Sequence, residues 1–246
     1  MKKAIEKSTE IMYNRKLVIF MVSATFKIAL DGPSGSGKST LAKNLAKHYG
    51  FVYIDTGALY RTIGLFVSER GIASDDAAAI VAVLPEIHIE MKLENGGGVV
   101  YLGGKKIGEE IRTPLCSKYA SDVSKIPEVR AFLLETQRSI ARENNVIMDG
   151  RDIGTVILPD AQVKLFIIAS PEARAKRRYA ELCEKGIETT YEAVLSDMKW
   201  RDANDSGREI APAIPAEDAI HFDNSGLSIE ETAEKAIEII DKVYKR

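Results

Sequence analysis

The chain has 246 residues, enough for one large domain or two modest ones with a proper core. Its 45% hydrophobic and 28% charged residues are those of an ordinary globular protein, and a net charge of −2 argues against a general nucleic-acid binder while leaving room for a local basic pocket. Cys116 and Cys183 lie far apart and His48, His88 and His221 are scattered, so neither a disulfide framework nor a metal cluster is suggested, and no apolar run approaches the ~20 residues of a membrane span.

The first stretch, "MKKAIEKSTEIMYNRKLVIFMVSA", carries lysines, an apolar run from Leu17 to Val22 and a small-residue end. It weakly resembles a secretory leader. The preferred reading is an extension over residues 1–24 outside the fold, with Met21 as an alternative start, because the first core strand begins near Phe26. Residues 25–246 then form the folded domain.

From there, apolar runs ending in small or polar residues recur: "FKIALDG", "FVYIDTG", "NNVIMDG" and "VKLFIIAS". They are short and do not alternate, as expected of strands covered on both faces of a parallel sheet. Helical patterns lie between them. In the first, Leu41, Ala42, Leu45, Ala46 and Tyr49 form the apolar stripe, Lys43 and Lys47 face out, and Gly50 is placed to end it. Strands alternating with helices predict a doubly wound α/β fold with ligands at the carboxyl ends of the strands, where three of the four runs place an aspartate beside or near a glycine.

The segment Leu84 to Ile111 breaks the pattern, with short alternating runs joined by Asn95-Gly96-Gly97-Gly98 and Gly103-Gly104. It predicts a small antiparallel sheet inserted in the α/β core, half exposed in "IHIEMKL". After "VKLFIIAS" comes a basic helix opened by Pro171 and closed by Gly186. Thr189 and Glu192 have the spacing of a capping box for the next helix, which should run to about Asp205. The last helix is amphipathic, with Ile229, Ala233, Ala236, Ile237 and Ile240 expected inward.

The strongest chemical signal is Gly32-Pro33-Ser34-Gly35-Ser36-Gly37-Lys38-Ser39, which fits G-x-x-x-x-G-K-[ST] between a strand and a helix. Such a loop turns backbone N–H groups and a helix N-terminus toward phosphates, with Lys38 reaching the β- and γ-phosphates and Ser39 offering its hydroxyl to Mg²⁺. Arg61 and Arg151 follow strand ends and are carried by the topology to the ligand edge. Arg174, Arg177 and Arg178 share a helix face, where a solvated charged surface explains Arg174 equally well. Arg201, Asp205 and Arg208 form one stripe if their helix continues that far. Several arginines around one triphosphate loop suit phosphoryl transfer, in which charge spreads over the transferring group. Asp152 and Asp205 each lie beside an arginine, which leaves a salt-bridged structural role and a contact to base or sugar both open.

Taken together, "DGPSGSGKST", "YIDTGALYR", "MDGRDIGTVILPDA" and "RDANDSGREIAP" resemble the bacterial-type cytidylate kinases, nucleoside monophosphate kinases that move the γ-phosphate of ATP to CMP or dCMP in pyrimidine metabolism. The likeness runs from about Phe26 to the C-terminus. It implies a P-loop NTPase fold with a monophosphate-binding insert at about 84–122 and a helical lid at about 171–187. Gly32 to Thr40 (Gly32, Pro33, Ser34, Gly35, Ser36, Gly37, Lys38, Ser39, Thr40) would hold ATP, with Arg174, Arg177 and Arg178 closing from the lid. Thr56, Arg61 and Arg151 would grip the acceptor phosphate; Ser121, Arg130, Asp152 and Arg208 would surround the cytosine; Arg201 and Asp205 would hold the sugar. Lys38, Arg151, Arg178 and Arg201 would carry catalysis, with Mg²⁺ entering on ATP. Thr56 stands where the family carries a serine, and "ANDSG" is less charged than the family's run before Arg208. The resemblance also implies a cytoplasmic monomer acting on small molecules, without nucleic-acid or membrane partners.

Other P-loop classes fit less well. A GTPase would need a guanine-reading N-K-x-D, which is absent from the sequence. A sugar- or shikimate-type kinase would leave the arginines for a second phosphate unexplained, and an adenylate kinase would lack "GRDIGTV" and the inserted sheet.

Overall fold

The computed structural model describes residues 25–245, so the extension expected over 1–24 and the start at Met21 lie outside the described residues. In chain order the elements are β1 (Lys27–Asp31), α1 (Lys38–Tyr49), β2 (Val52–Asp55), α2 (Thr56–Glu69), α3 (Ala77–Val83), β3 (Ile89–Glu94), β4 (Gly97–Leu102), β5 (Lys105–Lys106), α4 (Pro114–Val123), α5 (Pro127–Glu143), β6 (Val146–Gly150), β7 (Val163–Ile168), α6 (Pro171–Glu184), α7 (Tyr191–Ser206), β8 (Ile220–Asp223) and α8 (Ile229–Tyr244).

The strands form one sheet in the order β3-β4-β2-β6-β1-β7-β8, with β5 paired to β4. β2, β6, β1, β7 and β8 are mutually parallel, as the unbroken apolar runs require. Ile28 and Leu30 of β1 pack with Leu41 and Leu45 of α1 and with Ala236 and Ile240 of α8 on one face. Ala29 points to the other face, among Ile54, Met148 and Ala141 of α5. A second cluster on α2, joined by Val100, Val129 and Leu133, covers the rest of that side. Each fully buried Ile, Leu, Val or Met among these stabilises the fold by about 1.5–3 kcal/mol relative to exposure.

Register decides where the polar ends fall. Asp31 lies opposite Gly150, and Asp55 lies opposite Asp149, so three aspartates stand together at the carboxyl edge of the sheet. That edge, where α/β sheets bind ligands, carries the site.

The inserted strands are antiparallel as expected, in register from Ile89 opposite Leu102 to Glu94 opposite Gly97. Their turn is Asn95-Gly96 alone, both at positive φ, the tight hairpin form that asparagine and glycine favour. The insert is not a detached sheet, because β4 pairs in parallel with β2 at Tyr53 opposite Gly97 and so continues the main one.

Two local expectations are corrected. The N-cap of α7 is Thr190, whose side chain accepts from the Ala193 amide, and an alanine at the third helical position leaves no carboxylate to complete a capping box. The box is present instead at α8, between Ser228 and Glu231. At the start of that helix Ile229 is 57% exposed, with Thr232, Ala236 and Ile240 forming the buried stripe. Ile229 lies on the wall of the open cavity, a placement that periodicity does not register. α6 and α7 pack on each other through Ala175, Leu182, Val194 and Met198, a small core of their own.

Candidate active site

Between β1 and α1 the chain makes the phosphate loop. Gly32 takes φ 144°, and a Cβ there would lie 2.4 Å from the carbonyl oxygen of Ile167. Gly37 caps α1 at φ 88°, a left-handed conformation that costs glycine little. Ser34, Gly35, Gly37, Lys38, Ser39 and Thr40 line an open cavity of about 890 Å³, while Gly32, Pro33 and Ser36 shape the loop from behind. Lys38 folds back so that its Nζ donates to the Pro33 carbonyl at 2.9 Å. Burial, together with Arg151, lowers its pKa to about 7.

Opposite Lys38 stands Asp149, the one aspartate of β6. Ser39 Oγ donates to its Oδ2 at 2.5 Å, and the Tyr53 hydroxyl donates to Oδ1 at 3.1 Å. Burial and then the nearby Asp55 push the Asp149 carboxyl upward. Asp31, on the neighbouring strand, accepts the amides of Ile153 and Gly154, both at 2.8 Å. Burial raises its pKa to about 6. This contact shapes the π-helical turn Ile153–Ile157 that follows Arg151 and Asp152.

The far end of the same cavity is lined by arginines and their carboxylates. Arg61 donates to Asp55 at 2.8 Å, and Arg112 lies 3.6 Å from the same carboxylate. Thr56 is buried, its hydroxyl donating to the Asp149 carbonyl at 2.8 Å. Arg151 Nε donates to Asp205 at 2.9 Å. Burial opposes the Asp205 charge, yet Arg151 prevails and holds the carboxyl below its ordinary range. Ser121 donates to the other Asp205 oxygen at 3.2 Å and accepts from Asn204 at 2.6 Å. Asp152 is 4% exposed, ion-paired to Arg130 and 3.9 Å from Arg208. Arg208 has a buried Nη2 without a hydrogen-bond partner, and Arg61 and Arg201 each have a buried Nε in the same condition. A cavity lined by guanidinium groups with unused N–H donors suits an anion.

α6 and α7 close the third side. Arg177 donates to the carbonyls of Ser36 and Asn224, and Arg178 pairs with Glu181 at 2.8 Å. Arg201 pairs with Asp197 at 3.1 Å. Arg174 is placed differently: it is 2% exposed, off the cavity wall, and bonded to the carbonyls of Ala169 and Ser34 and to Asp202. It braces the loop from beneath, so neither a solvated face nor a reach over the cavity describes it here. Arg208 likewise lies past the end of α7, which stops at Ser206, so the continuous helical stripe with Arg201 and Asp205 is interrupted.

Asp149, Asp55, Arg112 and Tyr53 are site residues that the motifs do not single out. The two aspartates are visible in the sequence as strand-end residues. Tyr53 opens the quoted "YIDTGALYR" without being marked there, whereas Arg112 belongs to no motif and is identified by contact alone.

A strand–glycine loop–helix unit facing a second, arginine-lined pocket at a parallel sheet edge defines a P-loop protein built to hold two phosphate-bearing groups. The chain belongs to the cytidylate kinase family, whose model matches residues 28–242. It is 51% identical over 216 residues to a cytidylate kinase of Caldicellulosiruptor saccharolyticus, covering 88% of this chain and 96% of that one. It is also 51% identical to the cytidylate kinase of Caldanaerobacter subterraneus subsp. tengcongensis, covering 92% and 99%, and 44% identical to that of Lactobacillus johnsonii, covering 89% and 95%.

Proposed function

We propose that this chain is a (d)CMP kinase, a phosphotransferase that moves the γ-phosphoryl group of ATP to the phosphate of CMP or dCMP, giving ADP and CDP or dCDP. The observation that carries the reading is the single cavity that joins the phosphate loop to the arginine cluster, leaving donor and acceptor to meet without an intervening wall.

An acceptor phosphate oxygen attacks the γ-phosphorus directly, so no side chain serves as nucleophile. Catalysis rests on positioning and charge neutralisation. Lys38 leaves the Pro33 carbonyl for the β- and γ-phosphates. Arg178 and Arg201 exchange their half-exposed carboxylates for the transferring group, and Arg177 meets ATP from the same lid. Thr56, Arg61 and Arg151 hold the acceptor phosphate, and Asp205 the sugar. Asp152 accepts the exocyclic amine of cytosine, its orientation fixed by Arg130 and Arg208, with Ser121 beside it. Uracil would present a carbonyl to that carboxylate, an unpaired buried contact costing about 1–3 kcal/mol. Closing α6 and α7 only over both substrates keeps water from the γ-phosphate.

Ser39 and Asp149 are the oxygen donors that Mg²⁺ prefers, and an ion carried on a triphosphate needs only one or two of them. Bound there, it would neutralise charge between the β- and γ-phosphates. Among the described residues no helix is long and apolar enough to cross a membrane. We propose a cytoplasmic enzyme that acts as a monomer, the monomer being tested by light scattering on the purified protein.

The functional test is ADP formation from ATP and Mg²⁺ with CMP, dCMP, UMP, AMP or no acceptor. Turnover with CMP and dCMP far above the others is expected. Equal slow hydrolysis with every acceptor would overturn the reading.

A further inference from the structure

What fixes the orientation of Asp149 is the point that the proposed reaction leaves unexplained. Asp149 is 3% exposed at the end of β6, its Oδ2 accepting from Ser39 and its Oδ1 facing Tyr53. A buried carboxylate with one oxygen bonded and the other free can rotate about χ2, and Ser39 would turn with it. Tyr53 removes that freedom.

Tyr53 is not among the residues that line the cavity, so it reaches the site through Asp149. Its ring packs against the α1–α8 core cluster, and its backbone amide donates to the Gly96 carbonyl at 3.1 Å where the insert joins the main sheet. Lys43 lies over the ring at 5.9 Å. Anchored on both sides, the phenol can present its hydroxyl in one direction only, toward Asp149.

The hydrogen-bond chain has a defined sense. The phenol donates to Oδ1, and Ser39 donates its own proton to Oδ2, which leaves the Ser39 oxygen lone pairs facing the cavity. A hydroxyl in that state can ligate a cation without losing its proton. Groups that orient a ligating side chain in this way typically contribute 10–100-fold to metal affinity.

We propose that Tyr53 is a positioning residue for the metal–nucleotide site: by fixing the Asp149 carboxylate it holds the Ser39 oxygen toward the divalent cation that accompanies ATP. This rests on the assignment of Ser39 and Asp149 to that cation.

The test uses the full chain and Mn²⁺ as the probe, titrated by electron paramagnetic resonance with β,γ-methylene-ATP bound, in wild type, Tyr53→Phe and Asp149→Asn. CMP affinity and Tm are measured alongside. Tyr53→Phe keeps the ring and its packing, so Mn²⁺ affinity should fall about tenfold with CMP affinity unchanged. Mn²⁺ affinity equal to wild type in Tyr53→Phe, with Asp149→Asn weakened, overturns the role of Tyr53 while sparing the metal site. Wild-type affinity in Asp149→Asn, or no nucleotide-dependent Mn²⁺ binding at all, overturns the metal assignment and this inference with it. Parallel losses of Mn²⁺, CMP and Tm in Tyr53→Phe would make it a structural residue, which also overturns the proposal.

Discussion

The core of the donor end is one short loop between Ser34 and Thr40, joined by Arg177 and Arg178 of α6, whereas the acceptor end draws Thr56 and Arg61 from α2, Ser121 from α4, Arg130 from α5, Asp152 from the turn after β6 and Arg208 from beyond α7. The loop presents backbone N–H groups and a helix N-terminus, whose directions are fixed by local φ and ψ. The acceptor end is made of long side chains that hold one another through ion pairs: Arg61 with Asp55, Arg151 with Asp205, and Arg130 with Asp152. A phosphate can be held by any dense array of donors, so a compact local motif suffices. Choosing a base and a sugar requires groups on several sides, and only a folded chain can gather them.

That contrast is most vulnerable at Arg151, which stands between the ends. Arg151→Ala should lower kcat/KM on the order of 10³-fold, because it removes charge at the transferring group and leaves the buried Asp205 without its arginine. A loss confined to KM for CMP, measured by steady-state kinetics, would place Arg151 wholly at the acceptor end. Asp152→Ala strands Arg130 and Arg208 and should cost about 3–5 kcal/mol of stability by chemical denaturation. Calorimetry should show CMP affinity falling about 10–100-fold with ATP affinity nearly unchanged. Equal losses for both nucleotides would erase the separation of the two ends.

At the donor end, Lys38 gives a pH signature. Its pKa of about 7 in the free protein means that it is mostly neutral at pH 8, and a bound triphosphate restores the charge. ATP binding at pH 8 should therefore take up on the order of one proton, read from calorimetry in buffers of different ionisation enthalpy. Affinity should fall up to about tenfold per pH unit above 7. CMP binding should show neither effect. The smallest effect is at the lid: Thr190→Ala removes the α7 cap and should cost about 1 kcal/mol by thermal melting. Neither substrate's affinity in the open state should change.

Much of this molecule is legible in its amino-acid pattern. The parallel strands, the loop with Lys38 and Ser39, and the inserted antiparallel pair follow from short-range signals: apolar runs, glycine spacing and a turn that requires positive φ. Where such signals fall short, geometry of longer range decides. Arg174 shares its helix face with Arg177 and Arg178, yet the lid's approach to the loop buries it against Ser34 and Asp202. Ile229 fits the helical period, but it is exposed on the wall of the open cavity instead of being packed in the core. The cap of α7 falls one residue later than the Thr189–Glu192 spacing suggests, a difference of one side-chain hydrogen bond.

The fold class, the phosphate loop and most of the charged residues that reach the cavity are written into the chain, because each depends on neighbours a few positions away. Which charges pair is settled only in three dimensions. The register of β6 between β1 and β2 sets Asp149 against Ser39 and Tyr53, some 110 and 96 positions distant in the chain, and α5 and the segment after α7 bring Arg130 and Arg208 to Asp152. Electrostatic attraction falls with distance in space, not along the chain, so its partners are known only once the core has packed.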